Sequence, residues 1–69
     1  MKRTFEEWLN EVRKELTKTM KESMVDEILN NLKANRTALQ LMTINRWLHK
    51  RRLFHLCLSE EEFKHFVKK

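Results

Sequence analysis

The sequence predicts an all-α fold, a small bundle of three or four helices, and three observations carry that expectation. The chain has 69 residues with no Gly and no Pro, so the tight turns and punctuation of a sheet-rich topology lack their usual residues. Leu, Lys, Glu, Met, Arg and Ala, the good helix formers, dominate. Apolar residues recur at helical spacing in separate blocks.

The first block is Phe5, Trp8, Leu9, Val12, Leu16 and Met20, a single stripe. Thr4 is the expected N-cap, and Glu6 and Glu7 lie in the first turn, where the helix dipole favours acids. The second block is Met24, Val25, Ile28, Leu29 and Leu32. At 100° per residue its centre lies roughly opposite the first. One straight helix would carry two faces pointing apart, so a break is expected near Lys21 to Ser23, with Ser23 as the new N-cap and Asp26 at N3. The alternative is one long helix that packs against different partners along its length.

Residues 33–37 form the next expected turn. Asn35 is the candidate for a left-handed helix end, and Thr37 or Asn35 for the following cap. A third helix is expected from about Ala38 to Lys50, with Ala38, Leu41, Ile44 and Leu48 facing inward. Leu39 and Met42 fall outside that stripe, so its first half is expected to be buried on more than one side. Leu53 to Leu58 reads as an extension of this helix or a buried connector. Ser59 and Glu62 make a capping box for a last helix that runs from Glu60 to about Val67, buries Phe63, Phe66 and Val67, and carries Lys64, His65, Lys68 and Lys69 toward its end. The expected core is Trp8, Leu9, Val12, Ile28, Leu41, Ile44, Leu48, Phe63 and Phe66.

Length limits what this fold can hold. Residues 1–69 read as one domain, and a domain this small buries only about 60% of its unfolded surface. Cys57 is the only cysteine, so no disulfide forms within one chain. It reads as a small buried hydrophobe in a reducing compartment. A homodimer is therefore an expected source of added stability. The opening residues, with Lys2 and Arg3 followed by acids, do not read as a signal peptide. No segment approaches the ~20 apolar residues that span a bilayer. The expected location is the cytoplasm, or the nucleus in a eukaryotic host, with no membrane partner.

Catalysis is not expected. No Gly-built loop is present to cradle phosphate or form an oxyanion hole, and nucleophiles are scarce. His49, His55, Cys57 and His65 lack the two close ligand pairs of a zinc site, so neither a metal nor another cofactor is expected.

Charge is the informative feature. Residues 1–35 carry seven basic and seven acidic side chains, whereas residues 36–69 carry eight and three, which accounts for the whole net charge of +5. No carboxylate lies between Glu27 and Glu60. An acid-free basic stretch in a charge-mixed protein is an electrostatic footprint for nucleic acid. Arg36, Arg46, Lys50, Arg51 and Arg52 are the expected phosphate contacts, with Thr43, Asn45 and His49 making shorter polar contacts to phosphate or base edges. A solvated basic face with Trp47 and Leu48 in the core is the plainer reading of the same residues.

Residues 46–53, Arg-Trp-Leu-His-Lys-Arg-Arg-Leu, resemble the recognition helix of homeodomains, in which an aromatic pair precedes Asn-Arg-Arg. Residues 43–48 also resemble the second helix of helix-turn-helix proteins of the excisionase and small-repressor kind. The resemblance covers about ten residues. It implies a helix-turn-helix-like arrangement, with Ser23 to Leu32 as the supporting helix and Ala38 to Lys50 as the recognition helix. It implies DNA ahead of RNA, in a transcription or replication regulator. Lys50 stands where homeodomains have the adenine-reading Asn, which favours backbone docking over base readout. A different class of function is a protein-docking inhibitor or adaptor that uses Arg, Trp and the apolar run after Arg52. Exposure of Phe54, Leu56 and Leu58 separates the two. An apolar patch there favours a protein partner, whereas burial with Arg46, Lys50 and Arg51 on an open face favours nucleic acid.

Overall fold

A computed structural model describes residues 3–68. Its four helices are α1 (Phe5–Leu16), α2 (Glu22–Asn35), α3 (Ala38–Lys50) and α4 (Glu60–Phe66), with no strand among the described residues. No helix among them is long and apolar enough to cross a membrane. Lys69, expected at the end of the last helix, lies outside the described residues.

Three of the four helices start with a reciprocal capping box. Thr4 pairs with Glu7, Thr37 with Gln40, and Ser59 with Glu62; each cap oxygen accepts the N3 amide while the N3 side chain accepts the cap's own amide. Each box satisfies two backbone donors that a helix start leaves open.

The start of α2 departs from the expected cap. Lys21 is the extended N-cap residue and makes no side-chain cap, while Ser23 lies inside the first turn. Arg13 of α1 holds this end instead, donating to both Glu22 and Asp26. These two acids are four residues apart and share a helix face only if the helix already includes Glu22. The break itself falls at residues 17–21, where the Thr17 hydroxyl donates to the Arg13 and Lys14 carbonyls.

That break explains the two opposed stripes. Once the chain reverses, the α1 stripe and the α2 stripe face each other across one core. Phe5, Trp8, Leu9, Val12 and Leu16 meet Val25, Leu29 and Leu32 there, joined by Leu41, Leu48, Leu56 and Phe66. Of the expected core, Ile28, Ile44 and Phe63 are only half-buried.

Leu39 and Met42 correct the expectation of a doubly covered α3, being 75% and 44% exposed. Only the Leu41–Leu48 row of α3 reaches full burial, with Ile44 beside it. Ala38 is exposed as well. The left-handed residue after α2 is Arg36 (φ 45, ψ 40) rather than Asn35, which stays helical. The Arg36 guanidinium lies 3.9 Å from the Phe5 ring centroid, and its carbonyl accepts the Lys68 amide at 3.0 Å. These contacts offset the cost of a side chain in that region.

Residues 51–58 form an irregular connector, the second of the two readings offered by the sequence. Side chains from elsewhere pin its backbone. Trp8, fully buried, donates its indole N–H to the Leu56 carbonyl at 2.8 Å. Arg3 grips Glu62 with two 2.9 Å hydrogen bonds and donates to the His55 and Cys57 carbonyls at 3.0 and 3.4 Å. The Leu58 amide donates to Asn45 Oδ1 at 2.7 Å. Phe5, Trp8 and Phe66 form an aromatic triangle with centroids 5.4 to 6.0 Å apart, which ties α1 to α4.

Two stability predictions follow from these anchors. Trp8→Phe leaves the buried Leu56 carbonyl without its donor and opens a void, at a cost of roughly 2–4 kcal/mol, measurable by urea unfolding. The Arg3 guanidinium also holds the Glu62 carboxyl below its ordinary 4.5, with the Ser59 amide assisting. Because the folded value is the lower one, this stabilisation is complete above about pH 5 and fades on acidification through the depressed value. Arg3→Met should flatten that part of the stability-versus-pH curve.

Candidate nucleic-acid interface

The end of α3 is built by backbone chemistry that presents cations. The Leu53 amide donates to the Leu48 carbonyl at 2.9 Å and the Arg52 amide to the His49 carbonyl at 3.0 Å. With Arg52 left-handed at φ 58, this is a Schellman ending. Leu53 packs against the core beyond it, so the helix stops and the chain turns inward while Arg51 and Arg52 stay exposed.

Arg46 and Lys50 join them on an outward row. At 100° per residue, Leu39, Thr43, Arg46 and Lys50 fall within a narrow arc of α3 opposite Leu41 and Leu48, and all four are exposed. Thr43 donates its hydroxyl to the Leu39 carbonyl at 2.8 Å. The Arg51 guanidinium stacks 5.1 Å from the centroid of the half-buried Trp47 ring. His49 is exposed and stands edge-on to Phe54, with centroids 5.2 Å apart.

Two of the expected site residues stand apart from this group. Arg36 lies at the other end of α3, about 20 Å along the helix axis from Lys50 at 1.5 Å per residue, against Phe5. Asn45 is half-buried, and its carbonyl oxygen is committed to the Leu58 amide. Its place in the structure is a strut between α3 and the connector. The remaining six, Thr43, Arg46, His49, Lys50, Arg51 and Arg52, lie together on the outer side and end of α3.

Ion pairs hold five of the nine other basic residues described, while Lys14, Lys21, Arg36 and Lys68 make none. Arg3 pairs with Glu11 and Glu62, Arg13 with Glu22 and Asp26, Lys18 with Glu15, Lys33 with Glu6, and Lys64 with Glu60. Arg46, Lys50, Arg51 and Arg52 make no ion pair among the described residues. Four unneutralised cations on one surface produce a local positive potential that pairwise contacts do not cancel.

The connector does not present an apolar patch. Leu56 is fully buried, Leu53, Cys57 and Leu58 are half-buried, and Phe54 alone is exposed among its large apolar residues. No group of three or more His, Cys, Asp or Glu side chains converges among the described residues to hold a metal ion. The residue that sequence reasoning missed is Arg3. Its partners lie 52 to 59 positions away along the chain in Glu62, His55 and Cys57, and no local pattern signals such a contact.

The fold and this surface define a class, a small four-helix domain with an exposed, unpaired basic helix end. Compared with models of protein families, with curated proteins and with solved structures, the chain matches none.

Arg52 separates stability from surface charge. Arg52→Gly relieves the left-handed backbone and should stabilise the fold by about 1 kcal/mol. In a domain of this size that raises Tm by about 4–8 °C, which calorimetry would register.

Proposed function

We propose that this chain binds nucleic acid, DNA ahead of RNA, by docking the end of α3 and the turn after it on backbone phosphates. The carrying observation is that Arg46, Lys50, Arg51 and Arg52 lie together, exposed and without a carboxylate partner among the described residues, in a stretch of sequence that holds no acid between Glu27 and Glu60. Duplex DNA presents one charge per ~1.7 Å of axis, and each phosphate neutralised releases counterion. An α-helix with its side chains is about 10–12 Å across, which suits the ~12 Å major groove of B-DNA. The deep, narrow major groove of A-form RNA does not admit it.

Arg51 stacked on Trp47 is held in one orientation, so less entropy is lost when it binds. The role is binding without catalysis, and regulation of transcription or replication is the setting that suits such a module. Thr43 and His49 would make the short polar contacts, while Asn45 keeps its structural bond.

The test is fluorescence anisotropy with a labelled random-sequence duplex across a salt series, alongside an RNA duplex of equal length. We expect micromolar binding at low salt, tighter for DNA. The slope of log K against log salt should fall by about one for each of Arg46→Ala, Arg51→Ala and Arg52→Gly. Absence of binding at low salt would remove this reading.

A further inference from the structure

At the opposite end of α3 from the basic surface, three segments enclose a recess of about 320 Å³, lined by Arg3, Thr4, Phe5, Arg36, His65 and Phe66. The segments are the start of α1, the turn between α2 and α3, and the end of α4. The edge-on contact of Phe5 with Phe66 and the hydrogen bond from the Lys68 amide to the Arg36 carbonyl fix them relative to one another. No carboxylate lines the recess. Its volume falls at the lower end of the ~300–1,000 Å³ range of small-molecule sites.

We propose that this recess binds a phosphate group, free or as the monoester of a small organic molecule. Arg36 carries the inference. It is half-buried, its guanidinium lies 3.9 Å from the Phe5 ring centroid, and its side chain makes no hydrogen bond or ion pair among the described residues. A partly desolvated cation is costly without a partner. Its planar fork of N–H donors matches the oxygens of a phosphate. The Phe5 ring holds the group at the recess before any ligand arrives, so less side-chain entropy is lost on binding. His65 is exposed, stands 6.0 Å from the Phe66 centroid, and its ring supplies a further donor. The 12-residue α1 opens at the same place, and its capping box leaves the Phe5 and Glu6 amides without an acceptor inside the helix. Amides at a helix start favour an anion.

The acids in the first turn of α1 are engaged elsewhere. Glu7 accepts the Thr4 amide, and Glu6 pairs with Lys33 at 3.6 Å. Arg3 spends its guanidinium on Glu62, Glu11 and the His55 and Cys57 carbonyls, so it forms a wall and leaves donation to Arg36 and His65. A phosphate dianion has three free oxygens and can meet the Arg36 fork, His65 and the helix amides at once. A planar carboxylate with two oxygens cannot. The recess stands about 20 Å along the axis of α3 from Lys50, and a ligand in it leaves Arg46, Lys50, Arg51 and Arg52 open. The inference does not rest on nucleic-acid binding, and a failed duplex titration leaves it untouched.

The test is calorimetric titration of the full chain with inorganic phosphate, ribose 5-phosphate and ribose at low salt, with amide NMR shifts to locate the site. A Kd below about 1 mM is expected for at least one phosphate probe, with no binding of ribose and with shifts at Phe5, Glu6, Arg36 and His65. Tighter binding of ribose 5-phosphate identifies an ester as the ligand, and tighter binding of inorganic phosphate the free ion. Equal affinity means that the phosphate group alone is recognised. Arg36→Gly suits the left-handed backbone and so keeps the fold, and it should weaken binding at least about tenfold. His65→Ala, at an exposed position, should weaken it several-fold, and Arg51→Ala should leave it unchanged. Absence of phosphate binding would overturn the proposal. So would binding that survives Arg36→Gly, equal binding of ribose, or shifts confined to residues 46–52.

Discussion

The hydrogen bond from Trp8 to the Leu56 carbonyl is the interaction on which the rest of the arrangement depends. Trp8 is wholly enclosed, and a buried indole N–H without an acceptor would be costly. The irregular connector supplies that acceptor from 48 positions away. The bond therefore joins the first helix to the segment that follows the third. It draws Leu56 into the core, and Arg3 and Asn45 secure the carbonyls and amide on either side. Because the connector is tied down, α3 ends in one place, and its terminal cations leave the protein in one direction.

Stability in so short a chain comes from many local devices. Three capping boxes close helix starts, Arg13 holds the uncapped start of α2, and an aromatic triangle joins the first and last helices. Each contributes on the order of 1 kcal/mol, a meaningful share of the marginal stability of a domain of this length. The same economy explains the charge distribution. Ion pairs cluster on α1, α4 and both ends of α2, where both signs are at hand. The end of α3 has no acid nearby in sequence, and the fold brings none to it. The positive surface is thus a consequence of sequence segregation that the tertiary structure leaves uncancelled.

Two sides of α3 carry different chemistry. The Leu41–Leu48 row belongs to the core, and the opposite row passes from apolar Leu39 to basic Lys50. A helix with only one buried row has its remaining circumference free for contact.

Much of this was legible in the sequence. The all-α class, the boundaries of α3, the capping box at Ser59, the cap at Thr4 and the existence of a break between the first two stripes all follow from patterns a few residues long, although the break falls at residues 17–21 and not at Lys21 to Ser23. So does the segregation of charge. Local rules failed where two local options were close in energy. Ser23 lost the cap of α2 to a helix start set by Arg13, and Asn35 lost the left-handed position to an Arg36 held by Phe5 and Lys68. The exposure of Leu39 and Met42 depended on how many neighbours α3 has, which periodicity does not count. Arg3, Asn45 and Leu56 acquired their tasks only through contacts across the fold. The sequence by itself determined which segments are helical and where positive charge accumulates, because both are set by near neighbours along the chain. Only the tertiary structure decided which apolar residues stay uncovered and which cations stay unpaired, because both depend on what packs against them.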